Sequence, residues 1–187
     1  MLDKGLNVQQ ETVKRTKRLA VFIDGRNVHY RLQQLGWPTQ YDVRAFAEAI
    51  NNRFDLASVH YYNATPLLKY TPEPMYGQQL RYYAHIAAQN GVTLKLGYLN
   101  DRGAKPQEKL VDVMLALDLA LGAERDLYDV AALVSADGDF AAAVVEAKAA
   151  GKEVVNFVFG IKRSFHLAAC CDEVRKLKRR HFTHIDC

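Results

Sequence analysis

Apolar residues gather into short runs separated by turn signals. The first run, LAVFID at 19–24, is unbroken until an acid and a glycine end it, the pattern of a central parallel strand buried on both faces. Comparable runs follow at 56–65, 92–99, 130–136 and 153–160, with a shorter sixth, edge strand at 173–177. Between them the spacing is helical. A helix over 27–35 is closed by Gly36-Trp37-Pro38, and Asp42 caps another through residue 51. A third, 75–89, stops at Asn90-Gly91, and 107–121 ends at Gly122. An Ala-rich helix follows Asp137-Gly138-Asp139 and ends at Gly151, and 164–171 forms a short last one. The 107–121 helix is apolar nearly all round, which predicts a buried helix. Tyr82 and Tyr83 are consecutive on a helix, so one of the two is expected inside. Strands alternating with helices predict an α/β fold whose largely parallel sheet of five to six strands is joined by right-handed crossovers.

A chain of 187 residues suffices for one well-buried domain. We expect it over 18–177, between a flexible basic segment (1–17) and a basic C-terminal tail (178–187). The net charge of +4 is unevenly placed. Residues 1–18 hold five bases against Asp3 and Glu11, and 175–187 hold five against Asp186, so the body between them is mildly acidic. Cys170, Cys171 and Cys187 lack CxxC spacing, and the six histidines form no HxxxH or HExxH pattern, which argues against a disulfide framework and against zinc. With no signal core and no apolar run long enough to span a bilayer, a cytoplasmic protein without membrane contact is expected.

In open parallel sheets ligands bind beyond the carboxyl ends of the strands. Asp24, Asp137 and Asp139 all fall there, on two strongly apolar strands that are expected to be neighbours. Carboxylates this close repel unless a cation neutralises them, and hard oxygen donors select Mg2+ or Mn2+. The apolar helix adds Asp112 and Asp118, about 120° apart on its surface. Asp112, in the first turn, is the better candidate, with Lys109 one turn earlier on the same side; Asp118 reads as structural, paired to Arg125. Each acid also has an ordinary reading. Asp24 could begin a turn, Asp137 and Asp139 could cap a helix, Asn27 could be an N-cap, and Ser135 and Ser164 could be filler and a cap. Three separate segments delivering acids to one sheet edge is what favours a shared site.

The stretches VFIDGRNVHY (21–30), KLVDVMLALD (109–118) and ALVSADGDFAAAVVEAKAAGKEV (132–154), in this order, resemble the NYN domain family, in particular its LabA-like branch, a relative of PIN-domain nucleases. The resemblance covers about 18–177. It implies a Rossmann-like PIN fold and a ribonuclease dependent on Mg2+ or Mn2+. Carried over by position, Asp24, Asp112, Asp137 and Asp139 match the family's catalytic, metal-holding acids, Asn27 its motif asparagine and Ser135 its small hydroxyl residue. Arg26 departs from the branch's usual acid or small polar residue.

An acidic site cannot by itself hold a polyanion, so basic surface must do so. Candidates are Arg26 and Arg31, Arg102 and Lys105, Lys109, Lys162 and Arg163 with Ser164, and the run from Arg175 to Arg180. Tyr30, Trp37, Tyr61, Tyr62, Tyr70 and Tyr76 are candidates for base stacking or for packing. The expected partner is RNA, in single-stranded or loop regions, and self-association is compatible with the sequence. The competing expectation is a catalytically weak RNA-binding or regulatory module acting through protein partners. The absence of GxGxxG, GxxxxGK[ST] and DxDGT disfavours dinucleotides, nucleoside triphosphates and phosphatase chemistry.

Overall fold

The structure is a computed structural model that describes residues 15–51, 53–101, 106–160 and 164–186. Seven strands form one sheet: β1 (Arg18–Asp24), β2 (Asp55–Ala64), β3 (Val92–Asn100), β4 (Gln107–Lys109), β5 (Val130–Val134), β6 (Glu153–Val158) and β7 (Glu173–Lys176), in the spatial order β4-β3-β2-β1-β5-β6-β7. Every pairing is parallel except that of β4 with β3. The helices are α1 (Gly25–Leu35), α2 (Val43–Ile50), α3 (Met75–Ala88), α4 (Val111–Glu124), α5 (Ala141–Ala149) and α6 (Phe165–Cys170).

Alternation along β1 sorts the core into two layers. Val21 and Ile23 pack with Val28 and Leu32 of α1, Phe46 of α2 and Ile86 of α3. Phe22 faces the other way, with Leu115 and Leu119 of α4, Val144 of α5 and Leu167 of α6. The two central strands β1 and β5 are neighbours, so Asp24 and the turn after Val134 leave the sheet side by side at its carboxyl edge.

Several expectations are corrected. The helix expected over 107–121 begins at Val111 and runs to Glu124. Residues 107–109 instead pair antiparallel with β3, adding a seventh strand, and Leu110 turns with φ 74°, which ends the strand before the helix starts. Gly97 makes this possible, because a side chain there would collide with the Lys109 carbonyl and with Val111. Gly122 does not stop α4 but leaves room for the Tyr128 ring, 3.0 Å from where a Cβ would stand. Nor is α4 buried all round. It packs through Val111, Leu115, Leu119 and Ala123, spaced by four, while Val113, Leu117 and Leu121 are exposed. Tyr82 and Tyr83 are both buried, because each hydroxyl finds a main-chain acceptor, the carbonyls of Tyr41 (3.2 Å) and Ala64 (3.1 Å).

Of the tail expected over 178–187, the described residues 178–186 fold back onto the body. Leu177 and Phe182 are buried, the Phe182 ring packs on Trp37, Tyr41, Phe46 and Phe159, and Asp42 donates its amide to the Thr183 carbonyl. Lys178, Arg179 and Arg180 stay exposed on this segment, which leaves β7 at the carboxyl edge. Among the described residues no helix is long and apolar enough to cross a membrane.

Candidate active site

Asp24 is the last residue of β1 and the N-cap of α1: its Oδ1 accepts the Asn27 amide at 3.0 Å. The cap is therefore Asp24, not Asn27, because the helix begins one residue after the strand ends. Asn27 sits inside the first turn and accepts the Ala136 amide on its Oδ1 at 3.3 Å, tying α1 to the end of β5. The second oxygen of Asp24 accepts from the Ser135 hydroxyl at 2.8 Å, and Ser135 in turn accepts the Asp137 amide at 3.1 Å. Asp24, Asn27, Ser135 and Asp137 thus form one connected network across the two central strands.

Asp24 is only 6% exposed. Burial pushes its carboxyl up to about 6, against the pull of the Asn27 and Ser135 hydrogen bonds, and the negative charges of Asp112 and Glu108 push the same way. Asp112, in the first turn of α4, is raised by burial and by Asp137 and Asp139. Asp137 caps the 3-10 turn Gly138–Phe140 by accepting the Asp139 amide at 3.0 Å. Asp112 therefore stands within electrostatic reach of the other three candidate acids, and the ordinary reading of Asp137 as a cap is true as well, while Asp24, read as the start of a turn, is itself a helix cap.

This donor set fits a hard cation: oxygens only, partly buried and mutually repelling. Among the described residues no three acids, histidines or cysteines stand close enough to enclose an ion.

Glu108 was missed in the sequence, where residues 107–109 read as helix. It is half-buried on β4, raised chiefly by burial, and its Oε2 meets Arg26 at 3.2 Å. The Gly103 to Pro106 turn signal before a polar triplet was the clue to a hairpin. Asn156, a lone amide in an apolar strand, was also missed. It is buried and donates to the carbonyls of Leu133 (3.1 Å) and Ser135 (2.8 Å), holding the end of β5 in place.

The basic candidates are scattered differently than expected. Arg26 reaches the acids but is paired to Glu108. Arg31 is four residues beyond Asn27 on α1, bonded to Gln34 and over the Tyr30 ring. Lys109 is exposed on β4, not one helical turn from Asp112, and alternates to the side opposite Glu108. Ser164 caps α6 by accepting the Leu167 amide at 3.3 Å, and its Oγ lies 2.8 Å from where a Cβ of Gly138 would stand, so only glycine fits between the two acids 137 and 139. Arg102, Lys105, Lys162 and Arg163 lie outside the described residues. Asp118 is paired to Lys95 (2.7 Å) and accepts the Tyr62 hydroxyl (2.6 Å); the expected partner Arg125 is replaced because the α4 face bearing Asp118 packs on β2 and β3.

Residues 18–178 match the NYN domain, which spans the sheet, both helical layers and every acid above. The chain belongs to the NYN domain family. Its seven-stranded, mostly parallel sheet flanked by helices is the PIN-like NYN fold. A crystal structure of a Vibrio parahaemolyticus protein of unknown function resembles this NYN chain with TM-score 0.69 at 22% identity, over 90% of this chain and 97% of that one, a likeness of fold. A Parabacteroides merdae structure shares 10% identity and TM-score 0.39 over 87% of this chain and 31% of that one, too little to carry any argument. No curated protein sequence matches the chain. Membership of the NYN family makes the chain a member of the PIN-like nuclease superfamily.

Proposed function

We propose that this NYN protein, of the LabA-like branch, is a ribonuclease dependent on Mg2+ or Mn2+ that cuts RNA internally in single-stranded or loop regions in the cytoplasm. The observation that carries the reading is the buried Asp24, fixed by Ser135 and Asn27 at the carboxyl edge, with Asp112, Asp137 and Asp139 repelling one another beside it. Asp24, Asp112, Asp137 and Asp139 would hold the ion, whose chemistry when bound is to acidify a water and to neutralise charge developing on the leaving oxygen. Ser135 and Asn27 hold Asp24 in one orientation, and Asn156 holds the carbonyl of Ser135. Arg26 can exchange Glu108 for a phosphate oxygen of the strand. Lys178, Arg179 and Arg180 supply cationic surface at the same edge, with Arg31, Arg102, Lys105, Lys109, Lys162 and Arg163 as further contacts to the RNA backbone.

That among the described residues no three acids stand close enough to enclose an ion favours one second reading, an RNA-binding or regulatory module that cleaves weakly. Purified protein incubated with single-stranded and structured RNA and DNA, in Mn2+, Mg2+ or EDTA, beside Asp137→Asn, decides between them. Asn at 137 can still accept the Asp139 amide, so the turn survives the change. Metal-dependent RNA cleavage that is abolished in the variant is expected. Cleavage persisting in EDTA would overturn the metal-nuclease reading, and tight RNA binding without cleavage would establish the second.

A further inference from the structure

Next to the acids, on the α1 and α3 side of the sheet edge, lies a cavity of about 650 Å3, within the range of roughly 300–1,000 Å3 of small-molecule sites. Arg26 and Glu108 are among the residues that line it. Both also belong to the acid cluster, since Glu108 acts on the carboxyl of Asp24 and Arg26 on that of Asp112. Asn63 and Ala64, on its wall, follow directly after Tyr62, the ladder partner of Asp24.

Its lining is chemically selective. Five carboxamide residues line it, Gln33, Gln40, Asn63, Gln78 and Gln79, of which Asn63 accepts the Ala64 amide and Gln79 donates to the Tyr83 hydroxyl. Among the described residues the side chains of Gln33, Gln40 and Gln78 make no hydrogen bond, so each offers a donor and an acceptor. The hydroxyls of Tyr82 and Tyr83 are spent on main-chain carbonyls, so their contribution to the wall is ring surface. Met75, Pro66, Leu99 and Pro106 complete the apolar part. Formal charge is largely paired off: Arg26 meets Glu108, His184 meets the Asp186 carboxylate, and burial lowers His29 toward its neutral form. Away from Arg26, such a lining offers no cation to a phosphate or carboxylate. It suits a flat, neutral heterocycle with donors and acceptors along its edge, which glutamine and asparagine can read in pairs.

We infer that this cavity is a base-binding subsite, which takes the unpaired nucleobase of a nucleotide adjoining the phosphate that sits on the acids. The place of the base along an RNA strand rests on the ribonuclease reading above; the base-binding chemistry of the cavity does not. Because Arg26 and Glu108 belong both to the subsite's lining and to the acid cluster, base capture fixes which phosphate lies at the acids and so sets sequence preference at a constant offset from the cut.

The test uses wild-type protein and the double variant Gln33→Leu/Gln78→Leu, whose residues are exposed on α1 and α3 and leave the core intact. Adenosine, guanosine, cytidine and uridine are titrated in EDTA, followed by NMR. Separately, a randomised single-stranded RNA is cut with Mn2+ and the ends are sequenced. Expected are saturable binding with about tenfold discrimination among the bases, a matching base preference beside the cut, and loss of both in the double variant. Nucleosides that fail to bind, or that bind both proteins alike, overturn the subsite. Nucleoside binding lost in the variant with an unaltered cleavage preference overturns its role along RNA and leaves a free nucleoside as the ligand. Selective binding with no cleavage of any RNA overturns the ribonuclease reading and upholds the cavity.

Discussion

Asp24 is held at the cost of stability. It ionises at about 6 when folded, against the ordinary 3.8, so between these values the native state binds more proton than the unfolded chain. Stability contributed at low pH is therefore lost as pH rises toward about 6, by up to about 3 kcal/mol. Asp24→Asn in metal-free buffer should melt at the wild-type temperature near pH 3.8 and above it at neutral pH, while cleavage is lost. Its amide can keep both local partners, accepting from the Asn27 backbone and donating to Ser135. Saturating Mn2+ should raise the wild-type melting temperature by mass action and leave Asp24→Asn nearly unmoved. A wild-type protein whose melting ignores Mn2+ would show that Asp24 holds no ion.

Among the elements, α4 separates two acids that look alike in the sequence. Its first turn brings Asp112 to the cluster, whereas Asp118, further along, lies over the sheet between Lys95 and the Tyr62 hydroxyl. Asp118→Asn should lower stability by about 1–2 kcal/mol, through one ion pair and one charge-assisted hydrogen bond, and leave cleavage intact. Asp112→Asn should do the reverse, suppressing cleavage and leaving the melting temperature close to that of the wild type. Parallel melting and cleavage measurements distinguish them, and cleavage abolished by Asp118→Asn at unchanged stability would reverse the assignment.

On the scale of the whole molecule, the bases divide between two edges. Arg15, Lys17 and Arg18 pair with Asp126, Asp129 and Glu153 at the amino ends of the strands, where Arg18 holds the Asp129 carboxyl well below its usual range. Lys178, Arg179 and Arg180 are exposed on the segment that follows the carboxyl end of β7, which the buried Phe182 ring fastens to the body. Replacing these three by Ser should weaken binding of single-stranded RNA and lower the slope of log affinity against log salt by about 2. The same treatment of Arg15 and Lys17 should leave both nearly unchanged. Filter binding over a salt series reads the difference, and equal losses from the two ends would refute the division.

Alternating apolar runs and turn signals were enough to predict the parallel α/β sheet, the adjacency of β1 and β5, and the convergence of Asp24, Asp137 and Asp139 on one edge. These follow from local periodicity and from the rule that crossover connections align the strands' carboxyl ends. What the chain does across space was decided only by the tertiary structure. Residues 107–109 became a strand because Gly97, ten residues earlier, admits them. Phe182 drew the basic C-terminal run onto the body through an aromatic cluster assembled from three distant segments, around residues 37–46, 159 and 182. Lys95 took Asp118, and Asn156 braced the turn before Asp137, through contacts between separate strands and helices. Periodicity reports which face of an element is apolar; which side chain meets it is set by packing between elements that lie far apart in the chain.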